Sequence, residues 1–155
     1  MKERPILFST PMVQAILEGR KTQTRRIKFK CDVGDVLWVR ESFTLVCERE
    51  VCIYKADESL EHPNPFYRWK PSIFMLRRDC RLFLRVKAVR VERLHCITEH
   101  GIKAEGVCIG NFPSARHSFR QLWNDLNHKR GHTWESNPIV KVIEFEPIQN
   151  YGGKV

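Results

Sequence analysis

The spacing of apolar positions changes several times along this chain, and each change marks an element. Ile6 to Phe8 is a short apolar stretch, after which Ser9 or Thr10 followed by Pro11 has the form of a helix N-cap with proline in the first turn. Met12, Val13, Ile16 and Leu17 recur at helical spacing and predict a short helix that Gly19 stops. From Thr22 to Ile27 the pattern becomes alternation, so a strand is expected with Thr24 and Arg26 on one face. Val33-Gly34-Asp35 reads as a turn into a strand from Val36 to Phe43, with Trp38 and Arg40 sharing a face and Glu41 opposite, and another strand covers about Val51 to Lys55. Ser72 to Met75, the long alternating run Leu82 to Leu94, and Pro138 to Phe145 predict three more.

Between the strands the signals differ. Three prolines with Phe66, Tyr67 and Trp69 between Asp57 and Pro71 oppose regular structure and predict an ordered aromatic loop. Ile97 to Gly106 predicts a short helix with Thr98 near its start and Glu105 in its last turn. Ser114 to Asn127 places Phe119, Leu122, Trp123 and Leu126 at i, i+3, i+4 and i+7, an apolar stripe meant for packing. The expectation is an α+β chain with a barrel-like count of about five to seven strands and flanking short helices. At 155 residues it is expected to be one domain, 1–155, ending in a flexible tail over 147–155.

Composition adds two points. The hydrophobic share of 42% suits a packed core, no apolar run is long enough to span a bilayer, and Met1-Lys2-Glu3-Arg4-Pro5 lacks a signal-peptide core. A cytoplasmic protein with no membrane partner is expected. The 27 Lys and Arg against 18 Asp and Glu leave a net charge of +9, and their clustering points to nucleic acid or nucleotides. Cys31, Cys47, Cys52, Cys80, Cys96 and Cys108 contain no Cys-x-x-Cys pair, so reduced thiols are expected. His128 and His132 stand at helical i, i+4 spacing but have no second ligand pair, so neither a metal nor a cofactor is expected.

The densest chemistry lies in Gly19-Arg20-Lys21-Thr22-Gln23-Thr24-Arg25-Arg26. Its pattern Gly19-x-Lys21-x-x-x-x-Arg26 resembles the signature of the ASCH domains, relatives of the PUA RNA-binding fold. Gly34-Asp35-Val36-Leu37, the Thr98-Glu99 helix and the closing Val142-Ile143-Glu144-Phe145 strand extend the resemblance over most of the chain. The resemblance implies a PUA-like mixed β-barrel. It also implies kinship with small bacterial amidohydrolases that remove the acetyl group from 4-acetylcytidine, and with phage or prophage ASCH proteins. The catalytic lysine, threonine and glutamate of those amidohydrolases fall on Lys21, Thr24 and Glu105, with Glu99 as a competitor for the last. Relative to the minimal domain, the segments 57–71 and 107–134 are insertions.

Amide cleavage needs a nucleophile, a base and a donor for the leaving amine. Thr24 has the hydroxyl, and Lys21 can take its proton once deprotonated, a loss favoured by neighbouring arginines and by burial. Glu105 can orient Lys21 or protonate the departing nitrogen, and Arg26 can hold an oxyanion or a phosphate. Arg20, Arg26, Trp38, Arg40, Arg77 and Arg81 are the expected contacts to substrate or nucleic acid, Trp38 by stacking and the Arg77–Lys87 basic run by tracking phosphates. Three functions are compatible: an amidohydrolase on an acylated cytidine, a non-catalytic module binding RNA or a modified base in the same cleft, and a metal-assisted ribonuclease, for which no carboxylate cluster is visible. A modified nucleoside or RNA is the expected partner, and a monomer the expected state.

Overall fold

Alternating and β-branched stretches become seven strands in the computed structural model, which describes residues 1–46, 51–58, 63–108, 113–149 and 151. Among the described residues these are β1 (Glu3–Leu7), β2 (Gln23–Arg26), β3 (Val36–Arg40), β4 (Phe43–Val46), β5 (Val51–Tyr54), β6 (Phe83–Arg93) and β7 (Ile139–Pro147). Three α-helices accompany them: α1 (Thr10–Leu17), α2 (Glu99–Ala104) and α3 (Ala115–Asn127). The strands form a mixed five-stranded sheet in the order β1-β3-β6-β7-β2, and β4 pairs with β5 in a second sheet. The fold is α+β, as the sequence pattern predicts. No helix among the described residues is long and apolar enough to cross a membrane. Two compact units divide the chain, the first comprising Met1–Glu18, Gly34–Arg85 and Pro147–Val155, the second Gly19–Val33 and Val86–Glu146.

In the first unit β1 runs parallel to β3, with Glu3 opposite Val36, and β3 runs antiparallel to the start of β6, with Val36 opposite Arg85. Helix α1 begins after Ser9 with Pro11 in its first turn, and it buries Val13, Ala15 and Ile16. The core gathers Val36, Phe43, Met75, Cys80 and Phe83, with Trp38 half-buried against them. Cys80 donates to the carbonyls of Val39 and Leu82, and burial pushes its thiol up to about 11. Among the described residues Cys31, Cys52, Cys80, Cys96 and Cys108 form no disulfide; Cys47 lies outside the described residues.

Three expectations change in this unit. The strand predicted from Val36 to Phe43 is two strands, because Glu41 is only 1% exposed and turns to meet a cation. Arg81 donates to both Glu41 oxygens, at 3.0 and 3.1 Å, donates to Asp57 at 2.5 Å, and lies 4.0 Å over the Tyr54 ring. Beyond that corner Phe43 pairs with Tyr54. The strand predicted at Ser72–Met75 is a 3-10 turn over Ser72–Phe74, since Ile73 and Phe74 are both exposed and only Met75 is buried, which leaves no alternating face to pair. In the tail predicted from residue 147, Ile148 and Tyr151 are docked. Ile148 donates to the Phe83 carbonyl, and Tyr151 donates to Glu3 at 2.9 Å with its ring 5.0 Å from Phe83. The rest of that tail, 150 and 152–155, lies outside the described residues, as do 59–62 of the expected aromatic loop and 109–112 of the segment 107–134. In the described part of the aromatic loop Tyr67 and Trp69 meet edge to face, and Lys70 bridges to Phe43 through both backbone groups.

The second unit is built on β2 and β7, antiparallel with Gln23 opposite Glu144, Thr24 opposite Ile143, Arg25 opposite Val142 and Arg26 opposite Lys141. Its core joins Leu94, Ile97, Ile102, Phe119, Trp123, Trp134, Val140 and Val142. Helix α2 is capped by Thr98, which accepts from the Gly101 amide, and α3 by Ser114, which accepts from the His117 amide. The α3 stripe buries Phe119 and Trp123, which share a core cluster with Trp134, but leaves Leu126 exposed. His128 and His132 do not form a helical pair, since α3 ends at Asn127 and Gly131 turns the chain at φ +76°.

The Glu41 corner yields a prediction. Burial raises the Glu41 carboxyl above its usual range, and Arg81 opposes that shift. A raised carboxyl supports the fold at acid pH and loses that support as pH rises through its folded value. Arg81→Met strands a buried anion at neutral pH, so urea melts should show a loss of roughly 3 kcal/mol or more at pH 7. The loss should shrink on acidification toward pH 4.5, where Glu41 can take a proton; a loss independent of pH would contradict this.

Candidate active site around Lys21 and Glu105

Every residue of this site belongs to the second unit. The end of α2 positions it. Glu105 is the helix C-cap, its amide donating to the Gly101 carbonyl, and Gly106 follows at φ +77°, a left-handed conformation that lets the helix stop there. The freed end of the helix is used by the segment before β2. The Thr22 amide donates to the Ala104 carbonyl at 2.8 Å, Lys21 and Glu105 form an antiparallel bridge, and Arg20 donates to the Gly106 carbonyl. On its other side Thr22 accepts from the Phe145 amide at the end of β7. Lys21 and Glu105, 84 residues apart, are thereby held side by side through their backbones.

Their side chains complete the contact. Lys21 is 2% exposed, and its Nζ donates to the Glu105 carboxylate Oε2 at 2.9 Å, the Glu105 carbonyl at 2.9 Å and the Gln23 carbonyl at 2.8 Å. Three acceptors match the three protons of an ammonium. The other Glu105 oxygen accepts from Arg25 Nη1 at 3.0 Å, and Arg25 donates from Nη2 and Nε to Glu92 Oε1. Gly101 makes room for that guanidinium: a Cβ there would stand 3.1 Å from Arg25 Nη2. Arg90 links the second Glu92 oxygen to Glu144, and Glu144 Oε1 accepts from Gln23 Nε2 at 3.1 Å. Because the Gln23 carbonyl holds Lys21, the network closes into a ring with three cations and three carboxylates.

Burial is the main cause of a lowered Lys21 pKa, the Glu105 carboxylate works against it, and Arg26 and Arg25 add to the lowering. Arg26 is likewise lowered by burial, against the pull of Glu105. Gln23 Oε1 is buried with no hydrogen-bond partner among the described residues. It is an open acceptor beside the ring.

The expected site residues separate into groups. Lys21 and Glu105 meet directly. Thr24 is buried on β2, and alternation turns it with Arg26 to the face opposite Gln23 and Arg25. Its hydroxyl has no hydrogen bond to Lys21, all of whose ammonium protons are engaged elsewhere. Glu99 is exposed in the first turn of α2, so it does not compete with Glu105. Arg20 is exposed and Arg26 half-buried. The other expected contacts belong to the first unit. Arg40 lies over Trp38 and donates to the Ile73 carbonyl, Arg77 forks onto Glu3 at 2.7 and 3.1 Å while covering Phe83, and Arg81 holds Glu41 and Asp57. Arg77 and Arg81 thus spend on carboxylates the charge that was expected to track phosphates.

Sequence reasoning gave Arg25 only an effect of charge on Lys21 and passed over Gln23, Glu92, Arg90 and Glu144. Alternation gives their faces, but the pairing of β2 with β7 and of α2 with the segment before β2 is what joins them. Among the described residues no three His, Cys, Asp or Glu side chains gather as a metal site.

No family model matches the sequence, and no curated protein is similar to it. Solved structures are. The ASCH domain from Lactobacillus crispatus JV V101 superposes with a TM-score of 0.53 at 11% identity, covering 94% of this chain and 79% of that one. Protein EF3133 from Enterococcus faecalis V583, of family DUF984, gives a TM-score of 0.50 at 11% identity over 87% of this chain and 65% of that one. At such identity the likeness is one of backbone path. The chain therefore has an ASCH-like fold.

Proposed function

We propose that this protein is an amidohydrolase acting on an acylated cytidine, with Thr24 as nucleophile, Lys21 as base and Glu105 as proton carrier. The observation that carries the reading is the buried Lys21–Glu105 pair beside the strand that bears Thr24. A buried ion pair is often no better for stability than apolar packing, so charges kept at such depth point to a task beyond holding the fold.

The proton inventory balances. Lys21 passes one proton to Glu105 across their hydrogen bond, a transfer that the lysine's lowered pKa favours. Neutral Lys21 then takes the Thr24 proton as the oxygen attacks the acyl carbon, and Glu105 gives its proton to the departing cytidine nitrogen as the carbon–nitrogen bond breaks. An ester on Thr24 remains, and the pair is back in its starting state. Water repeats the cycle: Lys21 takes its proton, the ester bond breaks, and Glu105 reprotonates Thr24. Access of Lys21 to Thr24 requires Nζ to leave the Gln23 carbonyl, the one acceptor of the three that Glu105 does not supply. Arg26, on the Thr24 face, is the group to meet the oxyanion.

A second reading, a non-catalytic module for RNA or a modified base, is favoured by the full engagement of Lys21 in the resting structure.

Incubation of the protein with 4-acetylcytidine should release cytidine. Thr24→Ala, Lys21→Met and Glu105→Gln should each lower kcat/KM by roughly 10²- to 10⁴-fold while circular dichroism stays native. A folded wild-type protein that binds RNA yet releases no cytidine would move the reading to the binding module.

The pH profile adds a separate check. The pair must hold one exchangeable proton, so activity should fall at alkaline pH with a midpoint below the usual lysine value of about 10.4. Arg26 lowers the Lys21 pKa through its charge, so Arg26→Gln should move that midpoint upward. A midpoint that stays or moves down would exclude Lys21 as the group responsible.

A further inference from the structure

We propose that the second unit carries another binding site, a lysine-rimmed apolar groove that takes a stretch of single-stranded nucleic acid. The groove encloses about 390 Å³ just beyond the end of β2. Ile27, Phe29, Val91, Ile139 and Val140 line it together with Lys28, Lys30 and Lys141. Val91 is 66% and Ile139 54% exposed. None of the three lysines pairs with a carboxylate among the described residues, whereas Arg25, Lys87 and Arg90 of the same unit all do.

Either half of this arrangement alone would be unremarkable. Lone exposed aliphatics are normal on a protein surface, and unpaired lysines are commonly solvated. Their combination selects a ligand that is at once a polyanion and a carrier of flat apolar faces. Single-stranded nucleic acid is such a ligand, its phosphates suited to the lysines and its bases to Phe29 and the aliphatic side chains. The segment Ile27-Lys28-Phe29-Lys30 interleaves the two requirements along the chain, and the net charge of +9 favours the encounter.

The position of the groove gives it a consequence for the site above. Arg26 pairs with Lys141 and Thr24 with Ile143, so all four side chains share one face of the β2/β7 pair. Thr24 and Phe29 are five residues apart, no more than about 17 Å along an extended chain. A strand seated in the groove can therefore present a neighbouring nucleotide toward Arg26 and Thr24. This extension, which makes the substrate a modified base within a strand, rests on the hydrolase reading; occupation of the groove does not.

The test is fluorescence anisotropy with a short labelled oligouridylate and, in parallel, an oligothymidylate. Both should bind, with affinity falling steeply as salt rises. The double variant Lys28→Glu/Lys30→Glu changes two exposed side chains, so its fold is not at risk. It should weaken binding more than tenfold and flatten the salt dependence, and Lys141→Glu should act in the same direction. Phe29→Ala should weaken binding with the salt slope retained. Binding that is absent, or unchanged in the lysine variants, overturns the proposal, as would a preference of this surface for polyglutamate or anionic vesicles over both oligonucleotides. Release of cytidine from free 4-acetylcytidine, followed in the same variants, separates the two claims. Strand binding without turnover leaves the groove standing and removes the hydrolase, and turnover without strand binding does the reverse.

Discussion

A single buried ammonium sets the terms for the second unit. Lys21 is sealed from water, and an ion in that position is tolerable only if every proton finds an acceptor. Glu105 provides two of the three, one from its carboxylate and one from its carbonyl, so the end of α2 must lie against the segment that leads into β2. That demand explains features that otherwise look unrelated. Gly106 stops the helix at the required residue, Thr22 takes the last free carbonyl of α2, and Gly101 leaves room for the second cation, Arg25, on the same carboxylate.

The ring that follows from Lys21 is electrically balanced, with Lys21, Arg25 and Arg90 set against Glu105, Glu92 and Glu144. Balance makes the burial bearable, but it also ties each charge to two neighbours. Loss of a partner at the buried end, where Lys21, Arg25 and Glu105 lie, leaves charge stranded away from water, whereas Arg90 and Glu144 at the other end stand partly in solvent. For the proposed chemistry this arrangement has two sides. It holds the base and the proton carrier in contact before substrate arrives, and it keeps the base engaged until Lys21 gives up a hydrogen bond. Thr24, on the other face of β2, is the residue that must be met when it does.

Much of this was legible in the sequence, for local reasons. Alternation placed β2, β3, β5, β6 and β7, and the α1 and α3 spacings placed those helices, because both patterns reflect which side of an element is buried; β1 read only as a short apolar stretch, and β4 not as a strand of its own. The spacing from Gly19 to Arg26 marked the segment that carries the candidate site, and the resemblance to ASCH domains singled out Glu105, which helical pattern alone would have left as an ordinary last-turn residue. What escaped depends on distant partners. Arg25 meets Glu92 and Glu105 across 67 and 80 positions, and no periodicity reports such a pairing. Glu41 broke a predicted strand for the same reason, since its cation lies 40 residues away. Arg77 and Arg81 read as free charge because the carboxylates that neutralise them are far apart in the chain. Alternation tells which face a residue occupies, whereas the partner on that face is decided by topology.

The central claim is that Lys21 and Glu105 stabilise the fold together and not separately. A double-mutant cycle with Lys21→Met, Glu105→Gln and the combined variant, measured by urea unfolding at neutral pH, tests it directly. The two single changes should each destabilise strongly and the double change by less than their sum, with a coupling of at least about 1 kcal/mol. Additivity to within about 0.5 kcal/mol would mean that the two groups do not depend on one another, and would contradict the account.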